Sequence, residues 1–310
     1  MAAAVRIRFG TMDDADGIAA LVNARDAADF GRSDNLDREF MRWWLGEDPD
    51  ALGRDVWVAV DGARIVGFAQ MRPNGPDGAE LTDESCVHPD TRGRGIGARL
   101  LDRAEAWARD RGLRRMIASV VNDDGRRLLE ERGFSLVRHF WRMEIVVDGE
   151  PPEPVAPDGI EIRPYRRGED DAVLHALHQT AFAEHWDFHP DPLEEWLVAR
   201  QRREDYDPAL WLLACERGEP VGAVLAFGAR DYGWILDLAV SKQARGRGIG
   251  LALLRTAFRE LARRGFRNIG LEVDAANETG ATRLYERAGM RVIRRYDTYE
   301  KAFAGGPTDV

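Results

Sequence analysis

One short phrase occurs twice in this chain, and it limits what the chain can fold into. Arg92-Gly93-Arg94-Gly95-Ile96-Gly97 recurs letter for letter as Arg245-Gly246-Arg247-Gly248-Ile249-Gly250, 153 residues later. Val87 and Val240 share that offset, as do Gly112 and Gly265. In both copies an apolar stretch precedes the phrase and an amphipathic helix pattern follows it. A glycine-rich turn between a strand and a helix is where a backbone holds a phosphate. Two such turns at a constant spacing point to one unit duplicated. The period is too long for a solenoid, so each repeat is expected to be a whole domain.

The boundary between the copies is legible. Asp148 to Gly159 holds four prolines and two glycines, a run that can form neither a helix nor a central strand. Directly after it, Ile160-Glu161-Ile162-Arg163-Pro164 alternates as Val5 to Phe9 does at the start. The expected division is a first domain over 1–147, a linker over 148–159 and a second domain over 160–310. Two domains of about 150 residues each is also what the length of the chain suggests.

Charge and composition exclude several classes. The net charge is −10 at pH 7. That argues against a nucleic-acid partner, which needs a basic face, and agrees with a cationic or amine substrate. Cys86 and Cys215 both sit in strand-like apolar runs and read as two buried thiols in a reducing cytoplasm. The N-terminus shows no apolar signal core, and no apolar run approaches about 18 residues, so no membrane span is expected. The expected location is cytoplasmic. The six histidines show no metal-ligand spacing, and no metal is expected. The arginine-rich stretches 109–115 and 263–264 read as solvated helix C-termini with favourable dipole charge.

Each copy reads the same way. In the first, Val5–Phe9 is a strand and Asp13–Phe30 a helix opened by acidic residues. Val56–Val60 and Ile65–Met71 form a hairpin around Asp61-Gly62. Leu81–Val87 is a strand, and Gly95–Arg111 a helix with Ile96, Leu100, Leu101, Ala104 and Trp107 on one face. Arg115–Val121 is a strand, Gly125–Glu131 a helix, and Phe134–Val147 two strands. The second copy repeats this with helices over Asp170–Phe182, Leu193–Arg202, Gly248–Arg264 and Asn277–Arg287. Its strands are Ile160–Arg163, Trp211–Cys215, Val221–Phe227, Ile235–Val240 and Asn268–Val273, with two more near Val292 and Tyr299. The fold class is α/β or α+β, a mixed sheet with helices packed on it.

The three alternate glycines permit positive φ and let backbone N–H groups reach a ligand. The following helix presents its free N–H groups and the positive end of its dipole, and Arg245 and Arg247 add mobile positive charge. The bound group is expected to be a diphosphate. A kinase-type loop would need Gly-Lys-Ser/Thr, which neither copy has. A dinucleotide fold would need Gly-x-Gly-x-x-Gly after the first strand. Here the spacing is Gly-x-Gly-x-Gly, after roughly the fourth strand.

Both halves resemble the GCN5-related N-acetyltransferase (GNAT) family, whose acetyl-CoA motif is Gln/Arg-x-x-Gly-x-Gly/Ala. The matching residues are Arg92, Gly95 and Gly97, and Arg245, Gly248 and Gly250. The second half also matches the family's C-terminal motif from Asn277 to Met290, with Tyr285 inside it. The layout is similar to that of the tandem mycothiol synthase branch, with local likeness around Ala181-Phe182-Ala183 and Asp207-Pro208. The resemblance implies two tandem acyl-CoA N-acyltransferase domains, each a mixed, mostly antiparallel sheet flanked by helices. It implies acetyl-CoA as co-substrate and a small-molecule or peptide amine as acceptor, in a monomer or homodimer.

Acetyl transfer from a thioester to an amine needs a held pyrophosphate, a polarised carbonyl, a neutral amine and a protonated leaving thiol. By resemblance, Leu238, Ala239 and Val240 before the second turn supply a carbonyl-binding N–H. Cys86 and Val87 occupy that place before the first turn. The turn residues Arg92–Gly97 and Arg245–Gly250 hold the cofactor. Asn277 caps its helix and touches the pantetheine arm. Tyr285 is the expected general acid. Asp237, a carboxylate in an apolar strand, is the leading base, with His185, Asp187 and Asp274 as lesser candidates. Trp186 and Trp234 read as packing residues. The first copy is not equivalent. Its counterpart of Tyr285 is Leu129, which cannot donate a proton, and its counterpart of Asp237 is Glu84. Catalysis is therefore expected in the second domain, with the first degenerate. A competing class is a non-catalytic acyl-CoA-binding sensor, against which Tyr285 and the Asn277 motif argue.

Overall fold

In a computed structural model of the chain, the described residues are 5–33, 36–46, 51–149, 151, 154–202, 206–229, 232–276 and 280–303. They form, in chain order, β1 (Arg6–Phe9), α1 (Ala15–Phe30), α2 (Arg38–Gly46), β2 (Val56–Asp61), β3 (Arg64–Asn74), β4 (Gly78–Leu81), β5 (Cys86–Val87), α3 (Ile96–Asp110), β6 (Arg115–Val120), α4 (Asp123–Glu131) and β7 (Ser135–Val146). The second half repeats the order with β8 (Ile160–Pro164), α5 (Asp171–Phe182), α6 (Leu193–Gln201), β9 (Trp211–Glu216), β10 (Glu219–Ala229), β11 (Tyr232–Val240), α7 (Ile249–Arg263), β12 (Asn268–Asp274), α8 (Ala281–Arg287) and β13 (Arg291–Ala302).

Two compact units result, and neither is a continuous stretch of chain. Unit 1 is Met1–His139 with Arg294–Val310, and unit 2 is Phe140–Ile293. In unit 1 the strands run β1-β2-β3-β4-β6-β13, with β5 paired to β3. In unit 2 they run β8-β9-β10-β11-β12-β7. The pairings β4–β6 and β11–β12 are parallel, and the other described pairings are antiparallel. The last strand of each half thus completes the sheet built by the other half. Residues 294–302 of β13 lie in unit 1, where Thr298 opposes Ser119. Residues 140–146 of β7 lie in unit 2, where Met143 opposes Leu271. The expected division at the linker 148–159 does not describe these units, because strand pairing is non-local and leaves no mark at a linker.

Each sheet is covered on both faces. In unit 1, α3 packs Ile96, Leu100, Leu101, Ala104 and Trp107 on one side, with Tyr299 of β13 in the same core. The other side holds α1 and α2 through Ile18, Leu21, Met41 and Leu45. In unit 2, α7 and α8 cover one face with Leu253, Leu254, Phe258 and Tyr285. On the other face, α5 and α6 set Leu174 and Trp196 against Trp211, Leu213 and Leu225. The spacing of the apolar residues on α3 and α7, three and four apart, buries one stripe of each helix.

Several local expectations change. Leu81–Val87 is not one strand but two pieces, β4 and β5, paired to different neighbours. Phe134–Val147 is one strand rather than two, as is Arg291–Ala302. The helix expected from Asn277 begins at Ala281, with Gly280 at its N-cap. Asn277 itself lies outside the described residues.

The exchanged strands make a testable demand. Met143 is fully buried in unit 2 and Tyr299 is 2% exposed in unit 1. Losing one such buried side chain costs about 2–5 kcal/mol, against a total stability of about 5–15 kcal/mol. Fragments 1–150 and 151–310 expressed alone are expected to be insoluble or expanded, and together to yield one soluble complex. Two separately folded fragments, by circular dichroism and gel filtration, would contradict the strand exchange.

Candidate active site

The site in unit 2 starts where two parallel strands part. β11 pairs with β12 only over Tyr232–Trp234, opposite Asn268–Gly270. Beyond Trp234 the pairing stops and the strand opens a cleft toward its C-terminal end. On its other side β11 stays paired to β10, with one irregularity: Ala226 opposes Ile235 while Leu225 opposes Asp237. Leu236 is therefore the extra residue of a bulge, which resets the facing of every residue after it. Leu238 and Val240 pack toward α7, and Ala239 faces the α5 and α6 side, where Asp237 also finds its partners. Leu238, Ala239 and Val240 thus occupy the opened end. In unit 1 the same opening arises because β4 follows β6 while Cys86 and Val87 of β5 follow β3.

The glycine turn follows directly. Lys242–Ala244 form a 3-10 turn, Gly246 and Gly248 have φ of 75° and 85°, and α7 begins at Ile249. Unit 1 repeats this with Gly93 and Gly95 at 74° and 73° before α3. A side chain at these φ values is strained, so glycine is required there. The third glycine serves a different purpose. A Cβ on Gly250 would lie 3.1 Å from Leu284 and 3.6 Å from Val240. On Gly97 it would meet Leu128 at 3.3 Å and Val87 at 3.6 Å. The third position brings the helix start close to the strand and to the short helix beside it.

The arginines of the two turns are braced rather than mobile. Arg247 makes a two-pronged pair with Glu216 at 2.7 and 3.2 Å. Arg94 reaches Asp61 at 3.1 Å. Arg245 donates to the Val240 carbonyl at 3.2 Å. Arg92 is clamped by Asp29 at 2.8 and 2.7 Å, and Asn122 donates to the same carboxylate at 3.0 Å. Nearby carboxylates and carbonyls partner these side chains. What the turn offers a diphosphate is the backbone N–H groups and the helix dipole. In unit 1, Gly93, Gly95 and Gly97 line one cavity of about 330 Å3 together with Cys86, Val87 and Leu129.

The chemical side chains converge on the cleft of unit 2. Tyr285 on α8 is 8% exposed and packs in the α7 core. Its hydroxyl makes no hydrogen bond among the described residues. Burial, and then the charge of Asp237, push the phenol above its ordinary range. Leu129 takes that place in unit 1 and is buried. Asp237 is 8% exposed. Its Oδ2 accepts from Arg200 Nε at 3.1 Å and lies 3.4 Å from His178 Nε2. Burial pushes the Asp237 carboxyl up, but the His178 hydrogen bond and the Arg200 charge outweigh it, leaving the group below the usual carboxylate range. A carboxylate held this way is a poor proton acceptor.

The other expected residues fall around this pair or away from it. His185 is lowered mainly by burial, and it feels Asp274, Arg245, His178 and Asp237. Asp274 accepts from the Ala276 amide at 2.8 Å. Asp187 pairs with His189 at 3.2 Å. Trp186 packs on Phe140 with ring centres 6.2 Å apart, and Arg142 lies over Trp234 at 5.0 Å. Glu84 lies near the buried Arg25 of α1. The sequence reading missed Arg200 and His178. One signal was available for the histidine: it follows Arg25 by the repeat offset of 153, so both copies carry a basic side chain at one helical position. Among the described residues, no helix is long and apolar enough to cross a membrane, and no group of three His, Cys, Asp or Glu could hold a metal.

Comparisons with known proteins agree with this geometry. The model of the acetyltransferase (GNAT) family matches residues 19–134 and again 172–290. A mycothiol acetyltransferase of Thermobispora bispora is 33% identical over 289 residues, 90% of this chain and 93% of that protein. A protein of the same name from Geodermatophilus obscurus is 32% identical over 303 residues, 94% and 96% of the two chains. Among solved structures, a GCN5-related N-acetyltransferase from Sphaerobacter thermophilus superposes with a TM-score of 0.86 at 34% identity, covering 96% and 95% of the chains. A tandem GNAT protein of the clavulanic acid pathway shares the fold, with a TM-score of 0.74 at 20% identity over 99% and 100%. Two matched segments, one on each cleft, show that this chain belongs to the GNAT family as a tandem, acetyl-CoA-dependent acetyltransferase.

Proposed function

We propose that unit 2 moves the acetyl group of acetyl-CoA onto a primary amine of a small molecule or peptide by direct attack, and that unit 1 is a catalytically silent copy. One observation carries this reading. The two clefts share the opened strand and the glycine turn, but only unit 2 has a phenol, Tyr285, where unit 1 has Leu129. The amine nitrogen attacks the thioester carbonyl carbon beside the open edge of Leu238–Val240, whose N–H groups polarise the carbonyl oxygen. The new C–N bond forms as the C–S bond breaks. The sulfur takes the Tyr285 proton, and the phenolate recovers one from the acylated nitrogen. A phenol pushed up by burial stays protonated at neutral pH, so a proton is in place when the thiolate leaves.

A finer reading concerns the acceptor. The relatives named mycothiol acetyltransferase cover nearly the whole chain at about a third identity. This favours an amino-sugar thiol carrying a free amine over a peptide. A screen of amino-sugar thiols, aminoglycosides, polyamines and peptide N-termini tests it, read by CoA-thiol release.

Tyr285→Phe is expected to lower turnover by about ten- to ten-thousand-fold, the range for a general acid, with acetyl-CoA affinity nearly unchanged. Leu129→Ala in unit 1 should leave the chemical step intact. Normal turnover by Tyr285→Phe, under conditions where chemistry limits the rate, would show that the phenol only packs. Separately, Gly250→Asp should abolish acetyl-CoA binding at the second turn, because its Cβ crowds Leu284 and its carboxylate repels phosphate. Unchanged calorimetric affinity in a folded variant would overturn the assignment of the turn.

A further inference from the structure

The surroundings of Asp237 bear on which form of the amine enters the cleft. Asp237 uses one oxygen, Oδ2, for both Arg200 and His178. Its Oδ1 makes no hydrogen bond among the described residues. Arg200 reaches from α6 with its guanidinium 4.3 Å over the ring of Trp196, and that ring is fully buried. The cation is thereby held in place from two sides. His178 reaches from α5 and stacks on Phe182 with ring centres 4.4 Å apart.

His178 Nδ1 is buried and has no hydrogen-bond partner among the described residues, while its Nε2 lies 3.4 Å from both Asp237 Oδ2 and a terminal guanidinium nitrogen of Arg200. The groups that face Asp237 are Arg200 from α6, His178 from α5, His185 from the loop after α5 and Tyr285 from α8. Burial keeps His185 and Tyr285 uncharged at neutral pH. Arg200 sets its permanent charge against the carboxylate at 3.1 Å. Farther out, Arg245 and Asp274 act on His185 with opposite signs.

Resting on the reading of unit 2 as an amine acetyltransferase, we propose that Arg200 makes this cleft select the free-base form of its amine. Its guanidinium cancels the charge of Asp237, so the carboxylate orients a neutral amine through N–H···Oδ1 instead of capturing an ammonium. The amine has then lost its extra proton to solvent before it binds. Asp237 aims the nitrogen lone pair at the thioester carbon and takes no proton. Arg200 is a positioning residue acting through Asp237.

The test is the pH dependence of kcat/KM in the full-length chain, which reports the ionisation of free enzyme and free substrate. Two probe amines are compared with acetyl-CoA: glycinamide, with an α-amino pKa of roughly 8, and ethylamine, an alkylamine of roughly 10. The wild-type rise with pH should follow each amine, levelling above about pH 8 for glycinamide and still climbing at about pH 10 for ethylamine. The ratio of wild type to Asp237→Asn should stay flat across that range. Arg200→Met should shift the rise at least one unit lower, because an uncompensated carboxylate now binds the ammonium and takes its extra proton, so that the charged amine also reacts, with acetyl-CoA affinity unchanged. Arg200→Lys should be slower but keep the wild-type midpoint, and it carries the comparison if Arg200→Met does not fold. A midpoint shared by both amines would place the controlling ionisation on the enzyme and overturn the proposal. So would a wild-type to Asp237→Asn ratio that shrinks as pH rises. No turnover with any primary amine would overturn the reading of unit 2 itself, and this proposal with it.

Discussion

The parting of β11 from β12 after Trp234 is the constraint on which the site depends. Parallel strands normally stay paired along their length, and each unpaired backbone group in a buried sheet is costly. Here the opening is stabilised on both sides. The Leu236 bulge sits in the β10–β11 pairing and turns Asp237 and Ala239 toward α5 and α6. Leu238 and Val240 are left on the α7 face. The glycine turn then brings the start of α7 to the mouth of the opening. Gly250 allows that approach because no Cβ separates the helix from Leu284 and Val240. Strand edge, helix dipole and phenol end up around one cleft because of a single interruption in strand pairing.

Duplication explains both the likeness and the difference of the two units. Unit 1 keeps the same opening, the same left-handed glycines and a helix of the same length after them. It differs where chemistry would occur. Arg25, at the helical position of His178, is buried against Asp26 at 2.7 Å, and Arg92 is locked to Asp29. Leu129 fills the place of the phenol. Unit 1 sets these ion pairs beside its turn, while unit 2 holds a tyrosine, an aspartate and two histidines around its cleft.

Much of this was legible in the sequence where the signal is local. The β2–β3 hairpin follows from apolar alternation around Asp61-Gly62, and α3 and α7 from apolar spacing behind a glycine turn. Tyr285 and the turn glycines stood out because their spacing repeats or matches a motif. Features set by tertiary pairing were not legible. Nothing in Leu81–Val87 says that it divides between two neighbours, and nothing near residue 140 says that β7 completes another sheet. Asp237 was conspicuous as a charge in an apolar strand, but its partners were not. Arg200 lies in a helix whose sequence reads as an ordinary surface, and only the approach of α6 to β11 buries it against Asp237.

The claim that one cleft works and the other does not is tested most directly by disabling each turn in the full chain and measuring acetyl-CoA-dependent turnover. Gly95→Asp and Gly248→Asp place the same strained, negatively charged side chain at matching positions, at φ of 73° and 85°. The account predicts that Gly95→Asp retains most of its turnover while Gly248→Asp falls to background, with both variants folded. Loss of turnover in Gly95→Asp with activity kept in Gly248→Asp would contradict it and move the chemistry to unit 1.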